Sequence, residues 1–99
     1  MTQPRDAHWD DYMLEALRDP AEAAAYLDAM LALNDTAGML MALRHVAKAH
    51  GMAEVARRAE LGEKTLFKTL SEQGNPTVST LSRVLQSLGL RLRIEPISA

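Results

Sequence analysis

The residues best suited to do chemistry lie between positions 57 and 68, where basic side chains lie close to two acids and one threonine. Lysine can donate to guanine or to phosphate, threonine can contact the methyl group of thymine, and glutamate can accept from cytosine. Arginine one helix earlier suits the phosphate backbone. The sequence therefore predicts contacts to double-stranded DNA at Glu63, Lys64, Thr65, Lys68, Arg57 and Arg58.

Catalytic and metal-binding patterns are weak in this sequence. No cysteine is present, which excludes a thiol nucleophile, a disulfide and an iron–sulfur cluster. His45 and His50 are five residues apart, whereas two metal ligands on one helix need a spacing of three or four. Neither a Gly-x-Ser-x-Gly turn nor a glycine-rich phosphate loop occurs. We expect a protein that is not an enzyme, with no metal and no cofactor.

Two short helices must position the candidate DNA contacts. Gly51 ends one helix, and helices are predicted over about 53–59 and 63–72, joined by a three-residue turn centred on Leu61. This is the spacing of a helix-turn-helix, in which the second helix lies in the major groove. The charged residues of the second helix then point outward, because the inward positions are Val55, Ala56, Leu66 and Leu70.

Helix signals continue on both sides of this unit. Further helices are predicted over 10–18, 20–33, 36–50 and about 78–88, with order beginning near Trp9. Asp19 with Pro20, Asp35 and Thr77 are the predicted starts of three of them. Gly74 is expected to end the helix that begins at residue 63. The prediction is an all-α fold of six helices.

The segment Leu90-Arg91-Leu92-Arg93-Ile94 alternates apolar and basic residues, the pattern of a half-buried β-strand. Since no second strand is predicted in this chain, its partner would come from a second copy. Leu90, Leu92 and Ile94 are the candidate dimerisation residues of a homodimer.

Charge divides the 99 residues into two parts. Residues 1–35 hold eight acidic and two basic residues, a balance of −6, whereas residues 36–99 hold nine basic and five acidic residues, a balance of +4. This asymmetry favours two different partners. We expect an acidic helical extension over 1–34 and the helix-turn-helix domain with its dimerisation strand over 35–99. With no membrane-length apolar run and no secretion signal, a cytoplasmic location is expected.

A family resemblance extends beyond the two short helices. The runs Gly51-Met52-Ala53-Glu54-Val55-Ala56, Leu61 to Ser71, Gly74-Asn75-Pro76 and Leu81 to Leu90 resemble the lambda-repressor-like (Xre) helix-turn-helix. With Leu17-Arg18-Asp19-Pro20, Ala25-Tyr26-Leu27 and Ala47-Lys48-Ala49-His50 ahead of them, the chain is similar to the addiction-module antidote family, the HigA-type antitoxins of type II toxin–antitoxin systems. The resemblance covers about residues 9–97.

The resemblance implies a dimer that binds its own operator, represses its own operon and neutralises a RelE/ParE-like toxin. Most Xre domains have glycine where Glu60 stands and a serine cap where Gly62 stands, so a looser turn and a weaker cap are expected here. Two alternatives stay open from the residues: a stand-alone transcriptional regulator of the same fold, and a helical interaction module that does not bind DNA.

The acidic extension is the candidate toxin-binding part of the chain. A toxin that binds RNA presents a basic surface, and the acidic part of the chain, with a balance of −6 over residues 1–35, would associate with it by charge complementarity. The candidate anchors of this contact are Tyr12, Leu14, Tyr26 and Met30. These residues could instead pack on the protein's own core.

Overall fold

The computed structural model describes residues 12–97, which contain six helical segments. The first, α1, covers residues 12–16, and the prediction that order begins near Trp9 lies outside the described residues. The prediction of an all-α chain is confirmed for the described part. The remaining helices are α2 Pro20–Ala32, α3 Thr36–His50, α4 Met52–Ala59, α5 Glu63–Thr69 and α6 Val78–Ser87.

The three predicted helix starts are confirmed by side-chain caps. The side chains of Asp19, Asp35 and Thr77 each accept a hydrogen bond from a backbone N–H of the first turn, at 3.1, 3.0 and 3.1 Å. Such bonds satisfy donors that have no partner inside the helix. Pro20, at the first position of α2, loses nothing because its nitrogen has no hydrogen to donate.

One core holds the helices together. α2 packs on α3, α4 contacts both α3 and α5, and α6 packs on α4. Leu17, Ala23 and Leu27 from the acidic part lie in the same cluster as the residues that follow them. Arg18 adds a link by donating from Nε to the Ala49 carbonyl at 3.2 Å. The largest fully buried side chains are Leu40, Leu43, Val46, Val55, Leu66, Leu70 and Val84.

The predicted C-terminal strand is absent from the described chain. Residues 90–96 form no strand, and those after Leu90 are exposed. A strand is defined by hydrogen bonds to a neighbouring strand, and none of residues 12–97 is in a strand that could supply them. The alternation of apolar and basic residues was therefore an insufficient signal. Along this segment the exposure of the apolar side chains rises from the half-buried Leu90 to the fully exposed Ile94.

Helix α5 ends at Thr69, three residues earlier than predicted. The hydroxyl of Ser71 donates to the Lys68 carbonyl at 2.8 Å, so a side chain takes an acceptor at the end of the helix. Gly74 then closes a turn by donating from its backbone N–H to the Ser71 carbonyl at 2.8 Å. The chain between α5 and α6 is consequently a tight turn followed by an irregular connection.

Candidate nucleic-acid interface

Helices α4 and α5 are joined by residues 60–62, and this α4–turn–α5 unit carries the predicted DNA contacts. Glu60 adopts the left-handed conformation, with φ 60° and ψ 46°. The backbone N–H of Leu61 donates to the Ala56 carbonyl at 2.8 Å, which closes the end of α4. Gly62 precedes α5 in an extended conformation and gives it no side-chain cap. As expected from the sequence, the start of α5 is therefore capped more weakly than it would be by a serine.

Arg83 of α6 holds this turn from outside the unit. Its Nε donates to the Ala59 carbonyl at 3.0 Å, and its Nη2 donates to the Glu60 carbonyl at 2.8 Å. Both carbonyls lie at the end of α4, where the helix leaves acceptors without partners. The turn is therefore tied to α6, with Glu60 in the left-handed conformation. The sequence offered no sign of this role, since Arg83 lies 24 residues after Ala59 and 23 residues after Glu60.

Helix α5 separates its buried and exposed residues as predicted. Leu66 is buried, and Leu70, which caps the helix, is buried beside it. The same burial was predicted for Val55 and Ala56 of α4, and it is confirmed. Phe67 lies on the same helix and is half exposed, although it was not among the predicted contacts. The four predicted base contacts are all exposed: Glu63, Lys64, Thr65 and Lys68.

The two arginines predicted to bind phosphate share one acid on α4. Arg57 donates from Nε to Glu54 Oε1 at 3.1 Å, and Arg58 donates from Nε to Glu54 Oε2 at 2.7 Å. The hydrogen bond from Arg57 is the main cause that lowers the pKa of the Glu54 carboxyl, and it raises the pKa of Arg57. Spacings of three and four along a helix predict such pairs, so the sequence held this signal.

The candidate toxin anchors are not grouped in one exposed patch. Tyr12 is exposed, whereas Leu14 and Met30 are partly buried against the core. Tyr26 lies beside the core as well, and its hydroxyl forms a hydrogen bond of 3.0 Å with Nδ1 of His45. Burial raises the pKa of the Tyr26 phenol.

Two of the three candidate dimerisation residues, Leu90 and Leu92, line a groove of about 400 Å³, whereas Ile94 does not. Leu90 packs against the core, while Leu92 and Ile94 are exposed. Leu31 of α2 lines the same groove and is more than half exposed. The groove therefore combines exposed apolar side chains with charged ones from both α2 and the C-terminal segment.

Among residues 12–97, no group of three or more histidine and acidic side chains could hold a metal ion. Nor does this described part contain a helix long and apolar enough to cross a membrane.

Comparison with known proteins points to one family. A family profile described as "Probable addiction module antidote protein" matches residues 10–96. A relative from Haemophilus influenzae, named only "Uncharacterized protein", is 33% identical over 81 residues, which cover 82% of this chain and 84% of the relative. No solved structure was found to match. Because the profile spans nearly the whole chain, this protein belongs to the family of probable addiction module antidote proteins.

Proposed function

We propose that the protein binds its own operator as a homodimer, represses its own operon and neutralises a RelE/ParE-like toxin in the cytoplasm. The antidote family implies a toxin partner in general. The DNA-binding part rests on one observation: α5 buries Leu66 while it exposes the four predicted base contacts. A helix with one buried side and one charged, exposed side can enter the major groove without disturbing the core.

The charges near α5 support this assignment. Lys64 and Lys68 are one helical turn apart and both exposed, so a single groove can receive them together. Arg57 and Arg58 lie on the preceding helix, which crosses the DNA backbone in this type of complex. Their shared partner Glu54 would be exchanged for phosphate on binding. Two copies would read half-sites about 10 base pairs apart.

Fluorescence anisotropy tests the DNA-binding part. The protein is titrated into a labelled duplex from upstream of its own gene and into a scrambled duplex, at low and near-physiological salt. We expect a preference for the native duplex that survives the added salt, because contacts to bases depend less on salt than contacts to phosphate. Equal binding to both duplexes that disappears with salt would reject a sequence-specific repressor.

Two variants locate the contact. Lys64→Ala and Lys68→Ala together should weaken binding to the native duplex, by about 1 to 3 kcal/mol if either lysine reads guanine. Lys48→Ala is the matched control, because Lys48 is an exposed lysine on α3, outside the α4–turn–α5 unit. Unchanged affinity in the double variant would show that α5 is not the recognition helix.

Toxin binding is proposed for the acidic part of the chain. Glu15 and Glu22 are exposed, and so is the aromatic ring of Tyr12. Deleting residues 1–33 is not a clean test, since Leu17 and Leu27 belong to the core. Replacing Glu15 and Glu22 by lysine keeps the core and reverses the charge. We expect this variant to lose co-purification with the toxin encoded beside the gene, and Glu72→Lys, at an exposed site elsewhere, to retain it.

A further inference from the structure

Phe67 is an aromatic side chain on the exposed side of α5, and it is the one phenylalanine of the chain. Half of its surface is exposed. The apolar residues that α5 and its C-cap give to the core are Leu66 and Leu70, and Phe67 does not belong to that cluster. A single exposed apolar residue is ordinary in a protein surface. Its position among charged residues of a candidate recognition helix is what suggests a role.

The helix geometry groups Phe67 with the predicted base contacts. Phe67 follows Glu63 by four residues and Lys64 by three, so both lie beside it on the helix surface. Lys68 is the next residue along and is exposed as well. Whatever surface receives the two lysines must therefore also accommodate the phenyl ring. In a groove that offers only polar atoms, the ring would displace water from those atoms without replacing the lost hydrogen bonds.

The major groove offers one apolar group, the C5 methyl of thymine. We propose that Phe67 is a specificity-determining residue that contacts a thymine methyl in each operator half-site; this rests on the DNA binding proposed above. The ring has no donor or acceptor for a base edge, so its contribution is apolar contact. Cytosine at that position would present its amino group to the ring, where no acceptor could replace the lost water.

The neighbours of Phe67 favour DNA over a protein partner as the occupant. Lys64 and Lys68 concentrate positive charge on this surface, which attracts a polyanion. Protein interfaces, in contrast, have centres depleted of lysine and glutamate. Phe67 lies among residues of both types.

The test removes the methyl group and leaves every hydrogen bond in place. A duplex is first selected by the protein from a random pool, and each thymine is then replaced in turn by deoxyuridine. For the wild type we expect one thymine per half-site whose replacement weakens binding about fourfold, the effect of burying one methyl group. Phe67→Ala should bind the thymine and the uracil duplex equally at that position. Its salt dependence should match the wild type, because no charge is lost.

Controls separate a base contact from a general loss of binding. Leu33→Ala removes an exposed apolar side chain between α2 and α3 and should keep the fourfold difference. Phe67→Gln places an amide at the same site and should lose the difference, which covers the case in which Phe67→Ala folds poorly. Circular dichroism confirms that each variant is folded.

The outcomes distinguish the two levels of the proposal. If no duplex is enriched from the pool, operator binding itself is rejected, and the role of Phe67 with it. If a duplex is enriched but the Phe67 variants keep the response to uracil at every thymine, only the role of Phe67 is overturned. Loss of toxin binding in the Phe67 variants, with the thymine response intact, would place Phe67 at a protein interface instead and would also overturn the proposal.

Discussion

Arg83 donates from Nη2 to the carbonyl oxygen of Glu60 at 2.8 Å, so α6 holds the turn that precedes α5. The same guanidinium reaches Ala59, which places both of its bonds at the end of α4. Arginine suits this task because its fork carries several donors in a fixed plane. An arginine near a candidate DNA-binding surface can thus serve the geometry of the turn and not the phosphate backbone.

Replacing Arg83 by methionine should lower operator affinity without changing its salt dependence. The two carbonyls lose their donor, so the direction of α5 is less well defined, and we expect a stability loss of about 1 kcal/mol. Anisotropy titrations at several salt concentrations measure the operator affinity and its salt dependence, and thermal unfolding measures the stability.

Arg57→Met is the matched control for Arg83→Met. It removes the same charge from a residue predicted to contact phosphate, and should reduce the salt slope by about 1. A comparable fall in slope for Arg83→Met would mean that Arg83 contacts phosphate itself.

Replacing Glu54 by glutamine should strengthen DNA binding. Arg57 and Arg58 no longer share a carboxylate that competes with phosphate, and affinity should rise by up to about fivefold, as for the loss of an exposed ion pair. The gain should be equal for native and scrambled duplexes, because phosphate contacts carry no sequence information. Anisotropy with both duplexes measures it, with Glu15→Gln as the control for a lost exposed acid.

The pKa of Glu54 adds a pH test of the same pair. Because the arginines lower this pKa, the carboxylate stays ionised when the pH falls from about 7 to about 4.3, where an ordinary glutamate is half protonated. Wild-type affinity should therefore stay below that of Glu54→Gln down to this pH. A difference that is halved near pH ~4.3 would show that the pair does not hold the carboxylate charged.

Replacing Gly62 by serine should stabilise the protein. Gly62 has φ −71° and ψ 152°, which any residue can adopt, and an added Cβ would meet only Thr65 Oγ1 at 3.9 Å. A serine hydroxyl there can accept from the first turn of α5, and the unfolded chain loses the freedom of glycine. We expect a gain of about 0.5 to 1 kcal/mol in thermal unfolding.

The control for Gly62→Ser is serine at the glycine that precedes α4. Gly51 has φ 98°, a conformation that serine adopts only with strain, so Gly51→Ser should destabilise although it meets no neighbour within 4 Å. A destabilised Gly62→Ser would mean that the extended conformation at the start of α5 does not suit a side-chain cap.

Local signals predicted the helices well because their causes are local. Asp19, Asp35 and Thr77 act on N–H groups two or three residues away, so their types and positions were sufficient. The inward positions Leu66 and Leu70 followed from helical spacing alone. The exposed side of α5 could therefore be predicted from the sequence.

Features set by distant residues could not be predicted in this way. Arg83 reaches the turn across more than 20 residues, and no pattern in the sequence joins it to Glu60. The prediction of a C-terminal strand was wrong for a related reason. A strand needs a neighbouring strand, and alternation in one segment does not show whether such a neighbour exists. Glu54 is different, because its spacing to Arg57 and Arg58 was visible beforehand.

Replacing both Leu92 and Ile94 by glutamate should convert the proposed homodimer to a monomer. Both side chains are exposed, and Leu92 lines the same groove as Leu31, so a second copy can cover them without a change in the core. Carboxylates placed there would have to lose their water on association, a cost that the apolar side chains do not incur. Light scattering after size exclusion measures the mass, and Val78→Glu, at an exposed apolar site on α6, should stay dimeric. A wild type that is a monomer at micromolar concentration would reject the dimer.

Replacing Gly74 by alanine should destabilise the turn that ends α5. A Cβ on Gly74 would lie 1.9 Å from the Thr69 carbonyl oxygen, a backbone atom that cannot move without the end of the helix. We expect a loss of about 2 to 3 kcal/mol in denaturant unfolding, together with weaker operator binding. Gln73→Ala, at the exposed preceding residue, should change stability by less than about 0.5 kcal/mol. Equal stability of the two variants would mean that the connection from α5 to α6 adapts to a side chain, and that Gly74 is not required by this close approach.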